Sequence, residues 1–352
     1  MWDMVTSFDR VSGIRHMSFG WTDSLPFGTA DIEQGAAERY SPSHSQPLVR
    51  RDSIRCCVRN CENWLSRYRR GTSDPSAFCP VHGIRMSTSP TYVYRESARN
   101  LIVSPDLFDR LEKVERWRIG NEASEDALTW NVFAGICKLG DLPALLGHLQ
   151  PGIPNALSGD LELYLWGNRI SASGSRSWSK IYTVRCDLGE EGIPTEPDII
   201  VRVPGRLVVL VEAKFGSPNA TLENKEERFG DVKEFLERYP PAAQRPDPLD
   251  RDWIVRQQPG QVLEQLCRNV IFAQRLADDG EQPFVVNLTR ESAELDVEER
   301  LAPHLNPQRP VGFRRATWEG IYRLPIMGSA DALPLKTYLA AKTCNLRHAF
   351  AV

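Results

Sequence analysis

Residues 195–214 read Thr-Glu-Pro-Asp-Ile-Ile-Val-Arg-Val-Pro-Gly-Arg-Leu-Val-Val-Leu-Val-Glu-Ala-Lys. Two apolar, β-branched runs, 199–203 and 207–211, flank Pro204-Gly205-Arg206, a turn signal. The pattern predicts a β-hairpin. With the turn centred on Gly205, Asp198 lies opposite Glu212. Side chains alternate along a strand, so Glu212 and Lys214 share a face and Ala213 points to the other. Directly paired residues sit about 4.5–5.5 Å apart at Cβ. Two carboxylates and an amine therefore converge at the open end of a hairpin that is apolar enough to be buried. Oxygen ligands clustered this way suit a hard cation such as Mg²⁺. Water bound to such an ion is a nucleophile at neutral pH. A lysine beside it can orient that water, or stabilise charge building on a phosphate oxygen. The plainer alternative is a solvated strand end carrying a Glu–Lys pair.

These residues resemble the signature of the PD-(D/E)xK nuclease superfamily, with Pro197-Asp198 as its first half and Glu212-Ala213-Lys214 as its second. The resemblance implies a restriction-endonuclease-like α/β fold, a mixed central sheet flanked by helices. It implies Asp198 and Glu212 as ligands of Mg²⁺ or Mn²⁺, the Ala213 carbonyl as a further ligand, and Lys214 near the attacking water.

Size and composition are compatible with that reading. The 352 residues can hold one large domain and a small one. An apolar content of 41% and a charged content of 25% are those of a globular chain. The formal net charge of −3 provides no global basic field, so a nucleic-acid surface must be a local patch. No run of eighteen apolar residues suggests a membrane span. The first thirty residues show no basic-then-apolar signal, and the expected location is a reducing cytoplasm. There, eight cysteines point to free thiols or metal ligands rather than disulfides. The six histidines are scattered, no Ser or Cys sits in a nucleophile elbow, and no Gly-rich loop opens a helix.

A second constellation lies upstream. Cys56-Cys57 and Cys61 are followed by Cys79-Pro80-Val81-His82. Half of the chain's cysteines fall within these 24 residues. Two close pairs of soft ligands suit a tetrahedral Zn²⁺ in a closed structural site, whose binding would supply folding energy to a short segment. The expected ligands are Cys56, Cys61, Cys79 and His82, with Cys57 the alternative to Cys56. Between the knuckles, Arg67, Arg69 and Arg70 interleave with Trp64 and Tyr68, a pattern suited to phosphate contact and stacking, or simply to a solvated basic loop.

Residues 121–139 predict a helix, with acids in the first turns, a stripe of Leu128, Val132, Ile136 and Leu139, and Gly140 just beyond. Glu125 extends that stripe by one turn. In proteins resembling the superfamily such a helix supplies a Glu to the metal site, which makes Glu125 a candidate ligand and Glu122 the alternative. Residues 261–276 predict a second helix, with Gln261, Gln265 and Arg268 on a polar shoulder. The same resemblance implies that Gln265 and Arg268 reach the active site or the DNA backbone. Strands are expected at 161–166, 180–186, 284–288 and 313–322, and helices near 225–239 and 331–344. The strand–helix–strand order around 261–276 predicts a right-handed crossover.

The resulting organisation is an N-terminal arm, partly ordered, over 1–50, a zinc-binding module over 51–95 and a nuclease-like domain over 96–352. The expected activity is metal-dependent hydrolysis of DNA, in restriction-like defence or in repair. Duplex, single-stranded and RNA substrates all remain open. The alternatives are a non-catalytic nucleic-acid-binding protein on this scaffold, or a subunit that docks a second copy or another protein through the zinc module.

Overall fold

The computed structural model describes residues 52–56, 58, 61–67, 74–86, 92–105, 108, 111, 119–150, 161–171, 174–190, 196–225, 231–308 and 310–341. The expectations for the arm over 1–50, for Cys57, and for Tyr68, Arg69 and Arg70 lie outside them.

The strands are β1 (Ser53–Arg55), β2 (Trp64–Ser66), β3 (Ile84–Met86), β4 (Tyr92–Tyr94), β5 (Glu162–Leu165), β6 (Asn168–Ser171), β7 (Gly174–Ser177), β8 (Ile199–Val203), β9 (Leu207–Ala213), β10 (Gln282–Thr289) and β11 (Gly312–Thr317). The α-helices are α1 (Glu125–Lys138), α2 (Leu142–Leu149), α3 (Ser179–Asp187), α4 (Val232–Arg238), α5 (Arg251–Ile254), α6 (Glu264–Leu276), α7 (Val297–Leu301), α8 (Trp318–Tyr322) and α9 (Leu333–Ala341). Among the described residues no helix is long and apolar enough to cross a membrane.

The body is mixed α/β. Its sheet has seven strands in the order β11-β10-β9-β8-β5-β6-β7. Strands β9, β10 and β11 run parallel, whereas β5 to β8 pair antiparallel, and β8 pairs antiparallel with β9. All seven residues of β9 are buried, as a central strand covered on both faces requires. Its odd positions, Leu207, Val209 and Val211, join one core with Leu128, Val132 and Ile136 of α1. Its even positions, Val208 and Leu210, join a second core with Leu266, Val270 and Ala273 of α6. The hairpin is thus the middle layer between two helical layers.

Local chemistry fixes the elements nearest the hairpin's open end. The β8–β9 turn carries Gly205 at φ +73°, and the Arg206 N–H closes it onto the Val203 carbonyl at 2.9 Å. Helix α1 starts at Glu125 because the Ser124 hydroxyl caps the Ala127 N–H at 3.2 Å. Asn121, the predicted start, instead forms a β-bridge with Val93, and its side chain accepts the Ala123 N–H. Ten consecutive residues of α1, Ala127 to Ile136, are buried, and Asn131 staples the chain at Asn100 and Ile102 to it.

The expected strand at 180–186 is helix α3. Its Ile, Tyr, Thr and Val favour strands, but Ile181, Val184 and Leu188 recur at helical spacing and are the buried positions, while Tyr182 and Thr183 are exposed. The expected strand at 313–322 stops at Thr317, whose side chain caps the Gly320 N–H and starts α8. The expected helix at 225–239 is described only as α4, begun by the Asp231 cap.

A buried ion pair anchors α6. Arg268 donates to both oxygens of Glu190 at 2.9 and 2.7 Å, and Tyr239 donates to the same carboxylate. Burial lowers an arginine's pKa, but the Glu190 carboxylate outweighs it and holds the guanidinium firmly protonated. Removing one partner leaves an uncompensated buried charge. Arg268→Met is therefore expected to cost about 3–5 kcal/mol, and Arg268→Met with Glu190→Leu to recover much of that loss. Denaturant unfolding of the two variants checks this, and a double variant less stable than the single one would contradict it.

Candidate functional site

The register of the hairpin is the expected one, with Ile199 opposite Val211 and Val203 opposite Leu207. Just beyond the Ile199–Val211 pair, Asp198 leads into β8 and Glu212 follows Val211. Both lie on the even-numbered face of the sheet, with Ile200 and Leu210, toward α6. Lys214 follows on that face. Its ammonium meets Glu212 Oε1 at 2.9 Å. Burial alone would push the lysine down, but the carboxylates of Glu212, Asp198 and Glu125 outweigh it and hold the amine above the ordinary lysine range. The structure thus brings together the four charged side chains that the sequence nominated.

Each is held by backbone or by a neighbouring amide. The Asp198 carbonyl accepts the Trp166 N–H at 3.1 Å, from a tight β5–β6 turn in which Trp166 and Gly167 both have positive φ. Asp198 Oδ2 accepts the Ala213 N–H at 3.0 Å. Glu212 Oε2 accepts from the Asn269 side-chain amide of α6 at 2.8 Å. The Lys214 N–H reaches the Leu288 carbonyl of β10 at 2.8 Å, and the Lys214 carbonyl accepts the Trp318 indole N–H at 2.9 Å. Pro197, just ahead of Asp198, lies outside β8. Proline has no N–H, so the chain entering β8 offers no donor at that position.

Glu125 comes to this end of the hairpin from the opposite face. A single carboxylate oxygen, Oε1, accepts the N–H groups of Phe215, Gly216 and Ser217 at 2.8, 3.2 and 3.4 Å and the Ser217 hydroxyl at 2.9 Å. Glu122 is buried below β4, where its N–H bonds the Tyr92 carbonyl.

The two residues proposed on α6 fare differently from the hairpin acids. Gln265 is half-buried, and the amide that reaches Glu212 belongs to Asn269, one turn later. Arg268 does not offer its guanidinium to a phosphate. It is 5% exposed, and Glu190 takes it up bidentately. The sequence reading also missed Asn287. It lies beside Glu212 in the β9–β10 register and accepts from Asn219 at 3.1 Å. A polar residue inside the apolar run 284–288 was the available signal for it.

The Cys/His cluster sits in the small N-terminal unit built from the β1–β2 and β3–β4 pairs. Cys56, Cys61, Cys79 and His82 bring one ligand atom each to within 4.8 Å of the others. Sγ of Cys61 and Cys79 are 3.8 Å apart, and His82 Nδ1 is 3.4 Å from Cys79 Sγ and 3.7 Å from Cys56 Sγ. A tetrahedron with Zn–S near 2.3 Å has edges of about 3.7 Å, so the four side chains could hold a metal ion such as zinc. Asn63 donates toward the sulfurs of Cys61 and Cys79 at 3.3 and 3.5 Å, the outer contact expected around thiolates. Burial and the nearby Arg99 push His82 down, toward the neutral imidazole that ligates metals. Arg67 is exposed at the edge of this unit, and the guanidinium groups of Arg85 and Arg95 lie over the Phe78 ring at 5.5 and 5.1 Å.

No family model matches the chain, nor does any curated protein or solved structure.

Two outcomes follow from this geometry. Metal analysis of the purified chain should find close to one zinc, and Cys79→Ser or His82→Ala should release it and loosen β1 to β4. A metal-free protein with that segment protected from amide exchange would contradict the cluster's role. Separately, Lys214 neutralises a crowd of carboxylates. Its folded pKa is raised, so its contribution is complete below the unfolded value of about 10.4 and fades as pH rises through the folded one. Lys214→Met should therefore destabilise the metal-free protein at pH 7 by on the order of 3 kcal/mol, as read by thermal melting. An unchanged melting curve would contradict the pairing.

Proposed function

We propose that this chain is a metal-dependent phosphodiester hydrolase acting on DNA, built on a restriction-endonuclease-like fold with a structural zinc module. One observation carries the reading: Asp198 and Glu212 flank the Ile199–Val211 pair that closes the open end of a buried hairpin, and both carboxylates act on Lys214, which contacts Glu212. The donor set fits a hard cation, because the two carboxylates are hard oxygen ligands.

In this reading, Asp198, Glu212 and the Ala213 carbonyl would hold Mg²⁺ or Mn²⁺. When bound, the ion supplies a polarised scissile phosphate and a water of lowered pKa. The chain's own groups do the rest. Asn269 fixes the orientation of Glu212 by taking Oε2. Asp198 is oriented by its bond to the Ala213 N–H. The Lys214 ammonium, in contact with Glu212 at 2.9 Å, is the group placed to orient water or to meet charge on a phosphate oxygen. The exposed Arg67 and Arg95 provide a local basic surface for the nucleic-acid backbone, which an overall acidic chain needs.

The experiment is cleavage of duplex DNA, single-stranded DNA and RNA with Mg²⁺ or Mn²⁺, by wild type and by Asp198→Ala and Glu212→Gln. Metal-dependent cleavage of DNA that both substitutions reduce to background, with the fold intact, is the expected result. Wild-type rates in either variant would remove these residues from the mechanism. DNA binding without cleavage under every metal would instead assign the chain a non-catalytic role.

A further inference from the structure

Helix α1 contributes two braces to the residue that ends the hairpin. The first is Glu125, whose Oε1 gathers three successive backbone N–H groups and a hydroxyl from residues 215–217. Converging N–H groups of this kind form an anion-binding concavity, and here a carboxylate of the chain itself fills it. The second is indirect. Phe133 of α1 packs edge-on against Trp318, ring centroids 6.3 Å apart, and the Trp318 indole donates to the Lys214 carbonyl. Lys214 therefore leaves the sheet between two fixed points, one on its carbonyl and one on the three residues that follow it.

Glu125 reaches this place from the side of the sheet opposite Asp198 and Glu212. Its engaged oxygen is committed to four donors, and charge-assisted hydrogen bonds of this type are among the stronger ones. We infer that Glu125 is a positioning residue rather than a metal ligand: it sets the backbone path after β9, and through that path the reach of the Lys214 amine, while Asp198 and Glu212 form the cation site without it. This inference rests on the hydrolase reading for its catalytic consequence, but its structural half stands without it.

Two substitutions separate the roles. Gln at position 125 keeps a carbonyl oxygen that can accept from the same N–H groups but removes the charge a metal ligand needs, whereas Ala removes both. Full-length Glu125→Gln and Glu125→Ala are compared with wild type in three measurements: amide exchange at Phe215, Gly216 and Ser217 in metal-free protein, Mn²⁺ binding by calorimetry, and kcat and KM for metal-dependent DNA cleavage. In Glu125→Ala, exchange at these three amides should rise about tenfold or more. Its kcat should fall on the order of a hundredfold, as misplacement of a reacting group does, with KM and Mn²⁺ affinity nearly unchanged. Glu125→Gln should restore most of kcat and of the protection. Weakened Mn²⁺ binding in both variants, with no rescue by Gln, would overturn the inference in favour of ligation. Unchanged exchange in Glu125→Ala would overturn it as well. Exchange and Mn²⁺ binding need no substrate, so a chain that cleaves nothing would refute the hydrolase reading while these two readouts still decide the positioning one.

Discussion

Three carboxylates, those of Asp198, Glu212 and Glu125, act together on one buried amine, and this crowding is the constraint around which the molecule is arranged. Glu212 is 3% exposed at the end of a strand whose other residues are all buried. An ionised carboxylate in such a place is costly unless it is paired and hydrogen-bonded. The Lys214 ammonium takes one of its oxygens and Asn269 the other. That requirement explains why α6 must carry an amide at that point of its length, and why α6 in turn is pinned by the Arg268–Glu190 pair. It also explains the dense bracing of Lys214, through Leu288, Trp318 and the Glu125-bound segment. A buried ion pair is weak evidence for stability by itself. Its expense is more readily understood when the same acids serve a cation.

The small N-terminal unit solves the opposite problem. It has two short strand pairs and a core of five apolar or aromatic side chains, Leu65, Ile84, Met86, Tyr92 and Tyr94, with three cysteines. Such a core is small for independent folding, and a metal tying Cys56, Cys61, Cys79 and His82 would supply what the packing does not. The unit is joined to the body by a β-bridge between Val93 and Asn121, just ahead of α1, with the Glu122 N–H on the Tyr92 carbonyl. The putting-together of the two is thus made next to the helix that carries Glu125.

How much of this was legible in the sequence follows from how local each feature is. The hairpin was, because its turn residues and apolar runs fix the register with no distant partner, and the register is what brings Asp198 and Glu212 to the hairpin's open end. The Cys/His cluster was, because ligand spacing within a knuckle is itself a local quantity. Helix α3 was misread because β-branched composition was weighed above the spacing of Ile181, Val184 and Leu188. Arg268 was misread because its partner, Glu190, lies 78 residues away, and no pattern within the helix announces it. Asn269 and Trp318 were missed for the same reason, whereas Asn287 stood out locally as a polar residue within an apolar run and was passed over. The contact of Glu125 was hidden more deeply, since its partners are backbone N–H groups, which every non-proline residue has and no motif encodes.

The central claim is that the open end of the β8–β9 hairpin is a cation site made by Asp198 and Glu212. A crystal of the full chain soaked in Mn²⁺, with data collected at the manganese edge, tests it most directly. The account predicts an anomalous peak about 2.0–2.2 Å from an oxygen of each carboxylate, with the Lys214 ammonium withdrawn from Glu212 Oε1. Saturating Mn²⁺ with no peak there, and the Lys214–Glu212 contact intact, would contradict it.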